Sequence, residues 1–412
     1  MSHSFFTLNY RKLNLFFVIC IILISFIPQI ARSKPLNYTS WLNLETKKSF
    51  LSNNLGNTSG LIFKKNTDNI DVKINLTYTK DRNLLYDDSF LETRFKSNTF
   101  GIGKISRNWS FSPITSLILS KNARPSDSVY FITETKENPD NRLFSWLGPS
   151  SFELFNSKLT NHAKNQDPML LGIRAVINPF NNFKFELVKT SQWGGTGHES
   201  NIPSFLNAVY GNSNENKNSA INQMAGFGFS FENNRRKNSS RIYGQLIGED
   251  EAGGFPSCFM NLFGSEFIFS ENKLPTTIVI EYVDTRIGYS SNLNCGPGTS
   301  YNNWVYKYTN YDVSLGAPID TDGKSISLWG KTKLTKNTDI IYRLQKNLIN
   351  DNNMTGHRLS STRTKTIISE LGISWKLNKT IVKSNIIYQD HNIDQINTPR
   401  GMSINFKTQY SF

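Results

Sequence analysis

The carboxyl end of the chain alternates strictly between apolar and polar residues. Met402, Ile404, Phe406, Thr408, Tyr410 and Phe412 fall on one face of an extended strand, and Ser403, Asn405, Lys407, Gln409 and Ser411 on the other. Successive side chains of a strand project to opposite sides, so this segment is a ribbon greasy on one side only. The pattern also occurs at Ile70, Val72, Ile74, Leu76 and Tyr78, and at Ile367, Ser369, Leu371, Ile373, Trp375 and Leu377. A soluble sandwich also contains such ribbons. Recurrence through to a terminal aromatic, behind an export leader, points instead to an all-β, closed antiparallel outer-membrane β-barrel.

The leader reading rests on Arg11 and Lys12, the apolar run Leu13–Ile27, Pro28, and the small residues Ala31 and Ser33. This order suits a signal peptide cut after Ser33. A retained anchor is the rival reading, because the run is long for a signal. Downstream there is no apolar stretch of the ~18 residues that a spanning helix requires. Mean hydropathy is −0.41, as expected where only alternate strand residues meet lipid. Formal net charge is +14, and removal of Arg11, Lys12 and Arg32 with the leader leaves +11. The basic residues form no stripe interleaved with aromatics, so nucleic-acid binding is not expected.

Loop lengths give a second line of argument. Counting back from Phe412, placed at the periplasmic end, connections should alternate long outside and short inside. The long stretches are 391–400, 348–362, 285–323, 249–261 and 193–220. The short ones are 378–380, 334–337, 270–275, 233–239 and 178–182. They separate eleven candidate strands. Seven further candidates lie near 59–65, 70–79, 89–97, 99–107, 114–120, 127–134 and 151–159, which makes eighteen, an even number as closure requires. The expected organisation is 1–33 signal peptide, 34–58 short periplasmic lead-in and 59–412 barrel.

Of three cysteines, Cys20 leaves with the leader. Cys258 and Cys295 remain, both in stretches read as extracellular, where an oxidising compartment permits a disulfide between them. Two free thiols are the alternative.

Four segments, in order, resemble the capsule assembly protein Wzi family: Ser116-Leu-Ile-Leu-Ser-Lys-Asn-Ala-Arg-Pro125, preceded by Arg107, Asn108 and Trp109; Ser191-Gln-Trp-Gly-Gly-Thr-Gly197; Tyr243-Gly-Gln-Leu-Ile-Gly-Glu-Asp-Glu-Ala-Gly-Gly254; and Leu315-Gly-Ala-Pro-Ile-Asp-Thr-Asp322. The terminal Phe412 resembles the signal read by the barrel insertion machinery. The resemblance implies an eighteen-stranded outer-membrane barrel in contact with outer-membrane lipid. It implies a monomer acting as a lectin for capsular or extracellular polysaccharide, without enzymatic activity or cofactor. A periplasmic helical bundle, often carried by the family, is not expected of residues 34–58, which lack helical periodicity.

A lectin needs aromatic faces for sugar C–H surfaces and fixed polar groups for hydroxyls or uronic carboxylates. The candidates are Arg124, Trp193, Glu249, Asp250 and Glu251. Arg124 has a second reading as an ion pair inside the barrel, with Asp250 or Glu251. Trp193 has one as an interface-belt aromatic. The three carboxylates fit either a divalent-cation site or a lumenal ion-pair cluster. Glycoside hydrolysis requires two acids at a set spacing across the bond, which nothing in the sequence shows. His162, His198, His357 and His391 show no metal-ligand spacing and read as polar loop residues. A polar-lumen porin or substrate-specific channel is the alternative function.

Overall fold

The computed structural model describes residues 37–412 except 52–54, 82, 140, 142–143, 161–166, 212–220, 235–237, 253–254, 271–273, 291–294 and 304. The leader lies outside the described residues. Eighteen antiparallel strands form the wall. The first nine are β1 Asn37–Glu45, β2 Thr58–Asn66, β3 Ile70–Thr79, β4 Phe90–Phe95, β5 Asn98–Lys104, β6 Asp127–Thr135, β7 Ser150–Lys158, β8 Met169–Phe180 and β9 Phe183–Trp193. The second nine are β10 Ile221–Asn234, β11 Asn238–Ala252, β12 Phe255–Phe269, β13 Thr276–Asp284, β14 Lys324–Thr335, β15 Thr338–Ile349, β16 Thr364–Leu377, β17 Thr380–Gln389 and β18 Gly401–Ser411. Each pairs with its neighbours in sequence, and β1 pairs with both β2 and β18, which closes the sheet. Closure leaves no strand edge unpaired, a necessity in lipid.

The alternation resolves into an outer and an inner face. Outward positions include Leu187, Ile280, Leu344, Leu371 and Ile386, all apolar and about half exposed in the bare chain. Inward neighbours such as Glu186, Gln245 and Glu281 are buried. Several of the turns on the side of Phe412 are tight, and Lys96 (φ 54°) and Asn378 (φ 51°) take the left-handed backbone that two-residue hairpins demand.

Three expectations need correction. Residues 114–120 are not a strand; Leu117 and Ile118 are fully buried inside the lumen. That apolar run serves a plug, which periodicity alone does not distinguish from a buried strand. The lead-in 34–58 instead contains β1, whose outward Tyr38, Leu42 and Leu44 face away from Thr39, Trp41 and Asn43. The count of eighteen therefore stands with one strand exchanged for another. Residues 249–261 are not a long loop: β11 and β12 pair continuously up to Ala252 opposite Phe255. Apolar outward residues stop where lipid stops, while the hydrogen-bonded ladder runs on beyond it.

Candidate functional site at the extracellular mouth

With Phe412 at the periplasmic rim, the connections 105–126, 194–220, 285–323, 350–363 and 390–400 open outward. The first and third turn back into the barrel. Segment 105–126 packs Trp109, Leu117, Ile118 and Leu119 against Phe155, Leu170, Val188, Met224 and Ile247 of the inner wall. Its polar groups are held by lumenal carboxylates and one amide. Arg107 Nε donates to Glu153 Oε1 at 2.7 Å and Trp109 Nε1 to Glu153 Oε2 at 2.9 Å, with the guanidinium 3.9 Å from the Phe155 ring centre. Ser112 and Tyr243 both donate to Glu281, the tyrosine at 2.9 Å. Gln245 Oε1 accepts from the backbone N–H of Leu117 at 2.8 Å, while its Nε2 donates to the Trp109 carbonyl at 2.6 Å and to Glu186 at 3.1 Å. Gly228 leaves room for that Glu186 side chain; a Cβ there would stand 2.4 Å from its Oε1.

Segment 285–323 closes over this layer through three tyrosines. Tyr301 donates to the Leu117 carbonyl at 2.6 Å, Tyr306 to the Gly194 carbonyl at 2.7 Å, and the Tyr308 and Thr190 hydroxyls lie 2.9 Å apart. Burial pushes all three phenols above their ordinary range, keeping them neutral. Gly316 lets the segment approach closely, since a Cβ would sit 2.4 Å from the Leu117 carbonyl. Cys258 and Cys295 form a disulfide, Cα atoms 5.7 Å apart, fastening the segment to the wall. Cys258 belongs to strand β12, not to a loop. Its loss, as Cys258→Ser with Cys295→Ser, should lower unfolding stability by about 3–4 kcal/mol on the chain-entropy estimate for a closed loop of this size. Denaturant unfolding of the oxidised protein against the double variant checks this; coincident midpoints would refute it.

The fourth connection locks onto the third. Asp320, buried, takes two guanidinium bonds from Arg358, one at 2.7 Å. Asn352 gives Asp322 a backbone bond at 2.7 Å and a side-chain bond at 2.7 Å. His357 Nδ1 accepts the N–H groups of Leu359 and Ser360, which puts its proton on Nε2, donating to the Thr321 carbonyl at 2.9 Å. At the surface Arg286 and Arg363 share Asp351, at 2.8 and 2.7 Å. Burial works against ionised Asp351, but bonds from Arg286 and Arg363 prevail and hold it below the usual carboxylate range. Bonds from Ser361 likewise outweigh the burial of Asp394 in the fifth connection. A depressed folded value means stability present above the unfolded value, about 4, and lost as pH falls through the folded value. Protection of the 350–363 amides, taken relative to intrinsic exchange at the same pH, should therefore fall below pH ~4; unchanged protection at that acidity would contradict the assignment.

The candidate residues separate. Arg124 makes a bidentate pair with Asp87, at 2.7 and 3.0 Å, and lies 4.3 Å over Tyr311. Trp193 is buried, its indole N–H 3.2 Å from Asn156 Oδ1 and its ring edge-on to Phe205. Glu249 is buried within electrostatic reach of Arg358, Tyr301 and Tyr308. Asp250 and Glu251 continue β11 opposite Ser257 and Pro256; their side chains, like His162, lie outside the described residues. The structure does not bring Arg124, Trp193 and Glu249 to one surface. Sequence reading passed over Gln245, Asp320, Arg358 and the three tyrosines, although a loop with Tyr301, Tyr306 and Tyr308 so close together signals a buried anchor.

These features define a class: an outer-membrane barrel whose own extracellular loops fill its upper lumen. The chain belongs to the capsule assembly protein Wzi family, whose profile matches residues 46–400. It is similar to a solved Escherichia coli structure described as Wzi, an outer membrane protein involved in group 1 capsule assembly and a carbohydrate-binding β-barrel: 19% identity, TM-score 0.79, covering 95% of this chain and 88% of that one. The outer membrane protein OprD from Pseudomonas aeruginosa shares the general architecture, with 9% identity, TM-score 0.51, and coverage of 93% and 95%. An uncharacterised 55.8 kDa protein of the Klebsiella pneumoniae cps region is 27% identical over 199 residues. That match takes in 48% of this chain and 40% of the relative, so the chain spans well under two thirds of it. At these identities the structural likenesses establish the fold.

Proposed function

We propose that this protein is a non-enzymatic surface lectin that binds capsular or extracellular polysaccharide and helps attach or assemble it on the cell. One observation carries the reading: the mouth is closed by its own loops, held by buried hydrogen bonds and a disulfide. A preorganised surface loses little entropy when it captures a long glycan. Family membership supports the same role. Exposed groups on this surface that suit a glycan are Arg363, whose fork matches a uronic carboxylate, and Tyr289, 88% exposed, whose ring suits a sugar face. Arg124, Trp193 and Glu249 serve in this reading to hold the loops.

Deleting the gene in a capsule-making strain should move glycan from the cell-bound to the free fraction. An unchanged distribution would end the lectin reading. The channel alternative draws on the lower lumen, where Lys383 faces Lys407 and Lys64 faces Lys73 across adjacent strands, a wall that suits anions. Planar-bilayer recording separates the two, because a steady anion current would favour the channel.

A further inference from the structure

The connection 194–220 holds helix α1, Ile202–Tyr210, capped by Asn201, whose side chain accepts the Ser204 N–H. The helix does not stand over the mouth with the other loops. It packs with Trp193, Leu171, Leu154, Met169 and Ile221. Every one of these wall residues faces outward: on β9 the inward positions are Glu186, Val188, Thr190 and Gln192, on β8 Leu170 and Arg174, on β10 Asn222 and Met224. Their side chains reach the lumenal layer, whereas Trp193, Leu171 and Ile221 fall on the opposite parity. Helix α1 is therefore strapped to the outside of the barrel. Ser191 Oγ donates to the Ala208 carbonyl at 2.9 Å, and Lys189, also outward, donates to the Val209 carbonyl at 3.1 Å.

The helix buries Ser204 and Ala208 against the wall and still exposes apolar residues on its far side. Ile202 is 75% exposed, Leu206 43% and Tyr210 75%, at spacings of four. Its sequence, IPSFLNAVY, carries no charge. A helix facing water on its outer side would be polar there. This stripe instead continues the outward apolar band of Leu187 and Phe227 toward the extracellular end of the wall. Tyr210 is the amphipathic type enriched where hydrocarbon meets headgroups.

We infer that α1 is an interfacial membrane helix, its Ile202–Leu206–Tyr210 face seated in the outer-leaflet lipid. The partner is a lipid surface, and the inference rests on the barrel fold, independent of glycan binding. The second family-like segment, Ser191–Gly197, then serves as the bracket: Ser191 and Trp193 hold the helix while Gly194, Gly195 and Gly197, all at positive φ, turn the chain over the rim.

The test uses single-cysteine spin labels in the full chain reconstituted in bilayers, at Ile202→Cys, Leu206→Cys and Tyr210→Cys. Thr196→Cys, exposed in the same connection, serves as the aqueous reference and Leu187→Cys as the lipid reference. Barrel closure of each variant is verified by heat-modifiable gel mobility. The three helix sites should match Leu187→Cys, with high collision rates toward oxygen and several-fold lower rates toward a water-soluble nickel chelate. Nickel accessibility equal to that of Thr196→Cys overturns the inference. Shielding from both reagents overturns it too, and assigns the stripe to a protein partner.

Discussion

Gln245→Leu is expected to free the inner plug without opening the wall. The backbone of Gln245 stays in the ladder, opposite Gly228 and Leu262. What disappears is the amide that satisfies the Leu117 N–H and Trp109 carbonyl, both inside the lumen, together with the bond to Glu186. Ser116 Oγ still donates to the Trp109 carbonyl at 2.7 Å and Arg174 to Glu186, so the Leu117 N–H is the group left without its partner, and a buried group so stranded costs the plug about 1–3 kcal/mol. Segment 105–126 would then spend a measurable fraction of time outside the lumen. Two readouts follow: ion current through reconstituted barrels in excess of the wild type, and trypsin cleavage after Lys121 in otherwise intact protein. A protease-resistant variant with wild-type current would show that apolar packing of Trp109, Leu117 and Ile118 suffices, and that the amide contributes nothing of consequence.

The wall was legible in the sequence because the membrane enforces one simple rule, apolar residues on every second position. Ile367, Leu371 and Trp375 face lipid as the alternation required, and Thr366, Ile368 and Glu370 face inward. The plug was not legible, because its side chains answer to one another. Leu117 and Ile118 look like strand residues and are core. Ile368, apolar but inward, pairs with Gln389 across adjacent strands. Nothing local to Arg124 names Asp87, 37 residues earlier, since the two meet only when the loops fold down over the lumen. Residue types suited to glycan binding, Arg and Trp, are equally suited to holding loops, and Arg124 and Trp193 both make such contacts. The family-like segments coincide with this holding function. Ser116–Pro125 is the plug, Tyr243–Gly254 the wall it bonds to, Leu315–Asp322 the layer above, and Ser191–Gly197 the bracket of α1. These motifs record how the mouth is built.

The joint between the third and fourth outward connections supplies a second large effect. Asp320 is 2% exposed and paired with Arg358. Replacing one member of a buried pair leaves the other charge unneutralised, at a cost of about 3–5 kcal/mol. Arg358→Leu should therefore release 350–363 from 285–323, expose both to protease and reduce the cell-bound glycan. Asp320 has φ 60°, a conformation that asparagine tolerates and most residues do not. Asp320→Asn thus removes the charge while sparing the backbone. In the double variant Arg358→Leu, Asp320→Asn neither charge remains to be desolvated, and most of the lost protection should return. Additive damage in the double variant would mean that the pair is not coupled and that Arg358 acts instead through its bond to the Tyr301 carbonyl. Recovery of protection without recovery of glycan binding would divide the roles differently: the ion pair builds the joint, and the Arg358 cation, one-fifth exposed, also faces the ligand.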